Sequence, residues 1–188
     1  VPLDPQPGLT VVEIMHAALH HEVRGMYILG ENPFISDPNT AMVRQALAAL
    51  DFLVVQDIFL TETAEFADVI LPASSFFEKT GTFTNTDRRV QIGRPVLKLP
   101  GQARLDWQIT CEIGRRMGAP GFEFADVSAV FDEFAALTDS YRGLSYAHLG
   151  REGKLWPCPD PAHSDGTVVL FDHSFPSGRG KMVPAEFA

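Results

Sequence analysis

The chain has 188 residues, of which 45% are hydrophobic and 21% charged, proportions that suit a globular protein able to bury a core as one domain, or as one domain with an irregular extension. Its net charge of −9 argues against nucleic acid, because phosphate backbones are held by Lys and Arg. No apolar run approaches the ~20 residues that a membrane span requires.

Thr10 and Glu13 have capping-box spacing, which predicts a helix from there to about His21 with Val12, Met15, Ala18 and Leu19 on one face. Arg24-Gly25 breaks it, and Met26 to Leu29 reads as a first strand. After the Gly30–Pro38 loop, Asn39 or Thr40 caps a second helix with Val43, Ala46, Leu47 and Leu50 at helical spacing. Phe52 to Gln56 is a second strand, Thr61 caps a short helix through Phe66, and Val69 to Leu71 is a third strand. This alternation with short connections predicts an α/β fold, an open, mostly parallel, Rossmann-like sheet with helices on both faces.

Beyond Pro72 the pattern changes. Gly81 and Asn85 punctuate a hairpin that returns along Arg89 to Ile92, and Pro95 to Gly101 is an extended connector. Asp106 reads as the N-cap of a helix through Met117, with Trp107, Ile109, Ile113 and Met117 facing inward. Val127 to Leu137 forms another helix, and Thr167 to Phe171 a strand within an otherwise Gly-, Pro- and His-rich stretch. The expected organisation is a lobe over residues 1–120, with 76–104 as a hairpin and connector excursion, followed by an irregular α+β extension over 121–188.

The first three strands stop abruptly at polar or Pro residues, which is how parallel strands deliver ligand-binding groups to their carboxyl ends. Gly30-Glu31-Asn32-Pro33 sits at the first such switch, but with one glycine it is not a phosphate loop. Asn32 is either a ligand-facing amide or a turn residue before a helix. Gln56 ends the second strand with an amide able both to donate and to accept, placed to satisfy the neighbouring loop backbone. Thr82, Thr84, Asn85 and Thr86, followed by Arg88-Arg89, suit an oxyanion or a buried polar network, or one Arg pairs with Glu78 or Asp87. Cys111 and Cys158 provide neither a disulfide framework nor a zinc site, Cys111 reading as a small buried hydrophobe on its helix. The histidines, among them His20, His21, His148, His163 and His173, show no ligand spacing, and Ser74-Ser75 has no nucleophile-elbow context.

The runs Tyr27–Pro33, Phe52–Asp57, Ala67–Pro72 and Glu78–Gln91 occur in an order and wording that resemble the later part of the catalytic alpha subunit of molybdopterin-dependent formate dehydrogenases, within the dimethyl sulfoxide reductase superfamily. The resemblance extends from Gly8 to about Pro184. It implies that Asn32, Ser36, Gln56 and Asp106 contact a bis-molybdopterin guanine dinucleotide cofactor carrying Mo or W, and that Asp106 also caps its helix. Gly30, Glu31, Asp57, Thr82, Arg88 and Arg89 form a wider set of candidates around the same cofactor. Such enzymes also carry a Cys or selenocysteine on the metal, a neighbouring His and Arg, and a four-cysteine motif for a 4Fe–4S cluster. None of these is matched here, so the chain is expected to be a cofactor-cradling segment, inactive alone.

The implied partners are the remainder of the alpha subunit or a split partner chain, and electron-transfer subunits. A start in mid-protein is expected from Val1, with a cytoplasmic location and a preceding signal left open. Two alternatives stand beside formate oxidation: another molybdopterin oxidoreductase of nitrate reductase type, or a non-catalytic scaffold like the complex I homologue. The wording of Gln56–Ala64 and Trp156–Pro159 resembles formate dehydrogenases most. With neighbours absent, a sheet edge and apolar faces would be exposed and the chain would associate.

Overall fold

The computed structural model describes residues 5–162 and 165–184; His163 lies outside them. The chain divides into two compact units, one comprising the residues up to Lys79 with Arg94–Phe122, the other Thr80–Gly93 with the residues from Glu123 onward. The 76–104 segment is thus shared: 80–93 cluster with the second unit and 94–104 with the first.

The first unit opens with α1 (Val11–Leu19), whose start is held by the reciprocal Thr10–Glu13 capping box. Three parallel strands follow, β1 (Gly25–Leu29), β2 (Phe52–Asp57) and β3 (Val69–Pro72), in the order β1-β2-β3. Between β1 and β2 lie a one-turn helix α2 (Pro33–Ser36), inside what the sequence presents as a loop, and α3 (Thr40–Ala48), capped by the Asn39 side chain on the Met42 amide. A 3-10 turn, Thr63–Phe66, joins β2 to β3, and the Thr61 hydroxyl accepts from the Ala64 amide beneath it.

Strand pairing aligns Met26 with Leu53 and Ile28 with Val55. Since side chains alternate across a pleated strand, these face the same way and bury against Met15, Ala18, Val43, Ala46, Leu47 and Ala64. Each large side chain in that core contributes about 1.5–3 kcal/mol. The alternate residues, Tyr27, Leu29, Phe52, Val54, Gln56, Val69 and Leu71, point to the other face. There α4 (Asp106–Arg116) supplies Thr110 and Ile113 beside Tyr27 and Leu29. Cover on this side is partial, leaving an apolar cleft of ≈ 520 Å³.

Two readings of α4 are corrected. Leu105, not Asp106, occupies the N-cap, and Asp106 is the first helical residue. Met117 is 81% exposed, because the helix ends at Arg116 and the returning chain lays the Phe122 ring over Gly114, where an added Cβ would lie 2.7 Å from it. The buried residues of the helix are Ile109 and Cys111, both expected inside, together with Gly114.

In the second unit β4 (Gly81–Thr84) and β5 (Arg89–Gly93) form the antiparallel hairpin, and β6 (Lys154–Leu155) adds to β5. α5 (Val127–Leu137), capped by Asp126, and α6 (Tyr146–Leu149) pack over it around Val90, Phe131, Ala135, Leu144, Leu149 and Cys158. The strand expected at Thr167–Phe171 does not form. The Arg88 guanidinium takes the carbonyls of Thr167 and Val168 that a ladder would use, and Phe171 adopts φ 56°. No helix among the described residues is long and apolar enough to cross a membrane.

Candidate functional site

The polar groups of the first unit gather at the carboxyl ends of its strands. Gln56, which follows directly on the apolar run Phe52–Val55, is 0% exposed, and an amide so placed must have its donors and acceptor matched. Its Oε1 accepts from the Tyr27 hydroxyl on the adjoining strand. Its Nε2 donates to Asp106 Oδ1 at 2.9 Å. On the other carboxylate oxygen, Oδ2 accepts from Ser74 Oγ at 2.6 Å and Lys79 Nζ at 2.5 Å. Lys79 Nζ also donates to the Ser74 carbonyl at 2.9 Å.

The electrostatics follow from this wiring. Burial opposes ionisation of Asp106, but the hydrogen bonds from Lys79, Ser74 and Gln56 and the Lys79 charge outweigh it, holding the carboxyl below its usual range. Burial, with Asp106 in support, pushes the Tyr27 phenol up, keeping it a donor. The Lys79 and Asp106 side chains are 27% and 23% exposed, so this ion pair is the reachable face of the network and Gln56 is its buried support.

A second cluster lies at the β1 switch. Gly30 turns the chain at φ 64°, a conformation glycine adopts without strain, and its amide donates to the Gln56 carbonyl at 2.9 Å. Asn32 Oδ1 accepts from Thr63 Oγ1 at 2.7 Å, while Asn32 Nδ2 donates to Glu62 at 2.8 Å. Asn32 therefore ties the first switch to the turn after β2. Glu31 and Ser36 line a groove of ≈ 540 Å³ along β1 and α1. Asp57 Oδ1 accepts from the Ile58 and Phe59 amides at 2.6 and 3.1 Å, forming the loop after β2.

Thr82, Arg88 and Arg89 belong to the second unit. Arg88 donates to the carbonyls of Trp156, Thr167 and Val168. Arg89 lies 3.8 Å from Asp87, the pairing that the sequence offers as one alternative. Thr82 lines a ≈ 210 Å³ pocket with Phe131, Phe134 and Tyr146. Among the described residues no group of three His, Cys, Asp or Glu is placed to hold a metal ion.

Sequence reasoning singled out Asn32, Gln56 and Asp106 but missed Tyr27, Thr63, Ser74 and Lys79. A hydroxyl inside an apolar strand, at Tyr27, was a usable signal. Nothing local marks Ser74 or Lys79.

The molybdopterin oxidoreductase family model matches residues 3–116. Among curated proteins, the chain is 46% identical to the F420-dependent formate dehydrogenase subunit alpha of Methanocaldococcus jannaschii, over 98% of this chain and 28% of that protein. It is 38% identical to the assimilatory nitrate reductase catalytic subunit of Bacillus subtilis, over 91% of this chain and 25% of that protein. The acetylene hydratase of Pelobacter acetylenicus has a similar fold, with TM-score 0.59 and 20% identity, over 86% of this chain and 24% of that one. The chain thus spans about a quarter of the length of these relatives. It belongs to the molybdopterin oxidoreductase family.

Proposed function

We propose that this member of the molybdopterin oxidoreductase family holds one guanine end of a bis-molybdopterin guanine dinucleotide cofactor, as a segment of a formate dehydrogenase catalytic subunit. The observation that carries the reading is the Lys79–Asp106 ion pair, partly exposed at the carboxyl ends of the strands and braced from below by buried Gln56. The donor set fits a purine. An ionised carboxylate with an unfilled lone pair on Oδ1 can accept from a ring N–H, and open α/β sheets bind nucleotides at this end.

Asp106 would take the base, Gln56 would hold Asp106 in place, and Asn32 would fix the β1 switch through Thr63 and Glu62. When bound, the group supplies a Mo or W centre for two-electron oxidation of formate to carbon dioxide. This chain's residues contribute position and charge to that chemistry. The metal-ligating Cys or selenocysteine, the catalytic His and Arg and the 4Fe–4S motif belong, in this reading, to the rest of the subunit or a split partner chain, with electron-transfer subunits beyond. The similarity to a formate dehydrogenase alpha subunit over 98% of the chain supports this assignment. The nitrate reductase relative favours a second reading, with the same cofactor role and a different substrate.

The test is the metal and guanine content of the chain purified together with the polypeptide encoded beside it. Mo or W with guanine, and formate-dependent dye reduction, are expected. Cofactor with nitrate but no formate turnover would move the assignment to the second reading. Absence of both metal and guanine overturns the cradling role.

A further inference from the structure

We propose that Lys79 is a specificity-determining residue of this site, donating a hydrogen bond to the oxygen at position 6 of the purine. The proposal rests on the guanine reading above and deepens it by giving Lys79, which that reading uses only as the counter-ion of Asp106, a contact of its own with the base.

The argument is a count of donors and acceptors. An ammonium carries three hydrogens. Two of those on Lys79 are engaged, one by Asp106 Oδ2 at 2.5 Å and one by the Ser74 carbonyl at 2.9 Å. The third has no partner among the described residues. The Asp106 carboxylate offers about four lone-pair positions. Ser74 and Lys79 use those on Oδ2, and Gln56 uses one on Oδ1. What the accessible pair has left is therefore one N–H on Lys79 and one acceptor position on Asp106 Oδ1.

Guanine carries the complement on adjacent atoms: a carbonyl oxygen at position 6 and a ring N–H at position 1. The Ser74 contact restrains a flexible four-carbon stem, and so lowers the entropy cost of presenting the remaining hydrogen to a ligand. Ser74 itself is buried, so the restraint comes from the body of the fold.

The experiment is calorimetric titration of the 188-residue chain and two variants with GMP, 6-thio-GMP and AMP. Replacing oxygen by sulfur at position 6 weakens the acceptor while leaving the ring N–H and the exocyclic amine in place. Wild type is expected to bind GMP about three- to tenfold more tightly than 6-thio-GMP, as for weakening a charge-assisted hydrogen bond. Lys79→Met is expected to bring that ratio close to one, and Lys79→Arg, which keeps a donor, to retain a preference for oxygen. Equal binding of GMP and 6-thio-GMP by wild type overturns the proposal whether or not the variants fold. A GMP to 6-thio-GMP ratio in folded Lys79→Met equal to that of wild type also overturns it, while a wild-type preference for GMP over AMP leaves the guanine reading standing. No preference for GMP over AMP in wild type removes the guanine reading, and this proposal with it.

Discussion

Gln56 Nε2 and Asp106 Oδ1 meet at 2.9 Å across fifty residues of sequence, joining the end of β2 to the first turn of α4. The bond makes a buried amide the support of a half-buried carboxylate, so each residue is explained by the other. Replacing Gln56 by Leu preserves approximate size but strands the Tyr27 hydroxyl and one side of Asp106. A loss of about 1–3 kcal/mol is expected from polar groups left without partners, read as a lower urea midpoint with unchanged slope. A variant as stable as wild type would mean that the network contributes no net stability.

Asp106 also sets a pH dependence. Its folded-state pKa lies below the ordinary value of 3.8 because the contacts with Lys79, Ser74 and Gln56 outweigh burial. A depressed carboxyl pKa contributes stability that is fully present above the unfolded value and is lost as pH falls through the folded one. Melting temperatures of wild type should therefore fall more steeply below about pH 4 than those of Asp106→Asn, which has no proton to take up. Parallel acid limbs for the two proteins would remove Asp106 as a source of that dependence.

In the second unit, Gly153 has φ 75°, and an added Cβ would lie 2.4 Å from the Val90 carbonyl oxygen. The neighbour is backbone of β5 and cannot rotate away. Gly153→Ala should cost at least ~1–3 kcal/mol from the strained backbone, with the clash added. Hydrogen exchange at Val90 and Lys154, paired between β5 and β6, should accelerate. Unchanged protection there would show that the turn relaxes freely.

The second sheet face bears on behaviour in solution. Tyr27, Leu29 and Phe52 are 41%, 46% and 50% exposed on one side of the sheet, with α4 covering only part of it. Contiguous exposed apolar surface favours association. Sedimentation of the isolated chain should show mass rising with concentration, and Leu29→Ser with Phe52→Ser should lower it. Wild type that stays monomeric across the range counts against this.

Much of the architecture was legible in the chain because its causes are local. The Thr10–Glu13 box, the Asn39 cap and the span Val127–Leu137 are written within a few residues of where they act, and the alternation of helix with strand announces a parallel sheet. The resemblance marks Gln56 and Asp106 as site residues; the local pattern alone offers a polar residue at a strand end and another at the start of an apolar helical pattern. Their relationship could not be read. Asp106 looked like a helix cap because capping is a three-residue rule, whereas its partners Lys79, Ser74 and Gln56 arrive from 27, 32 and 50 residues away. Thr167–Phe171 looked like a strand because its composition is apolar, whereas Arg88, 79 residues earlier than Thr167, claims its carbonyls. Local propensity is additive along the chain and so belongs to the sequence. Satisfaction of a buried charge depends on which distant groups the packed core brings within 3 Å, and only the tertiary structure decides that.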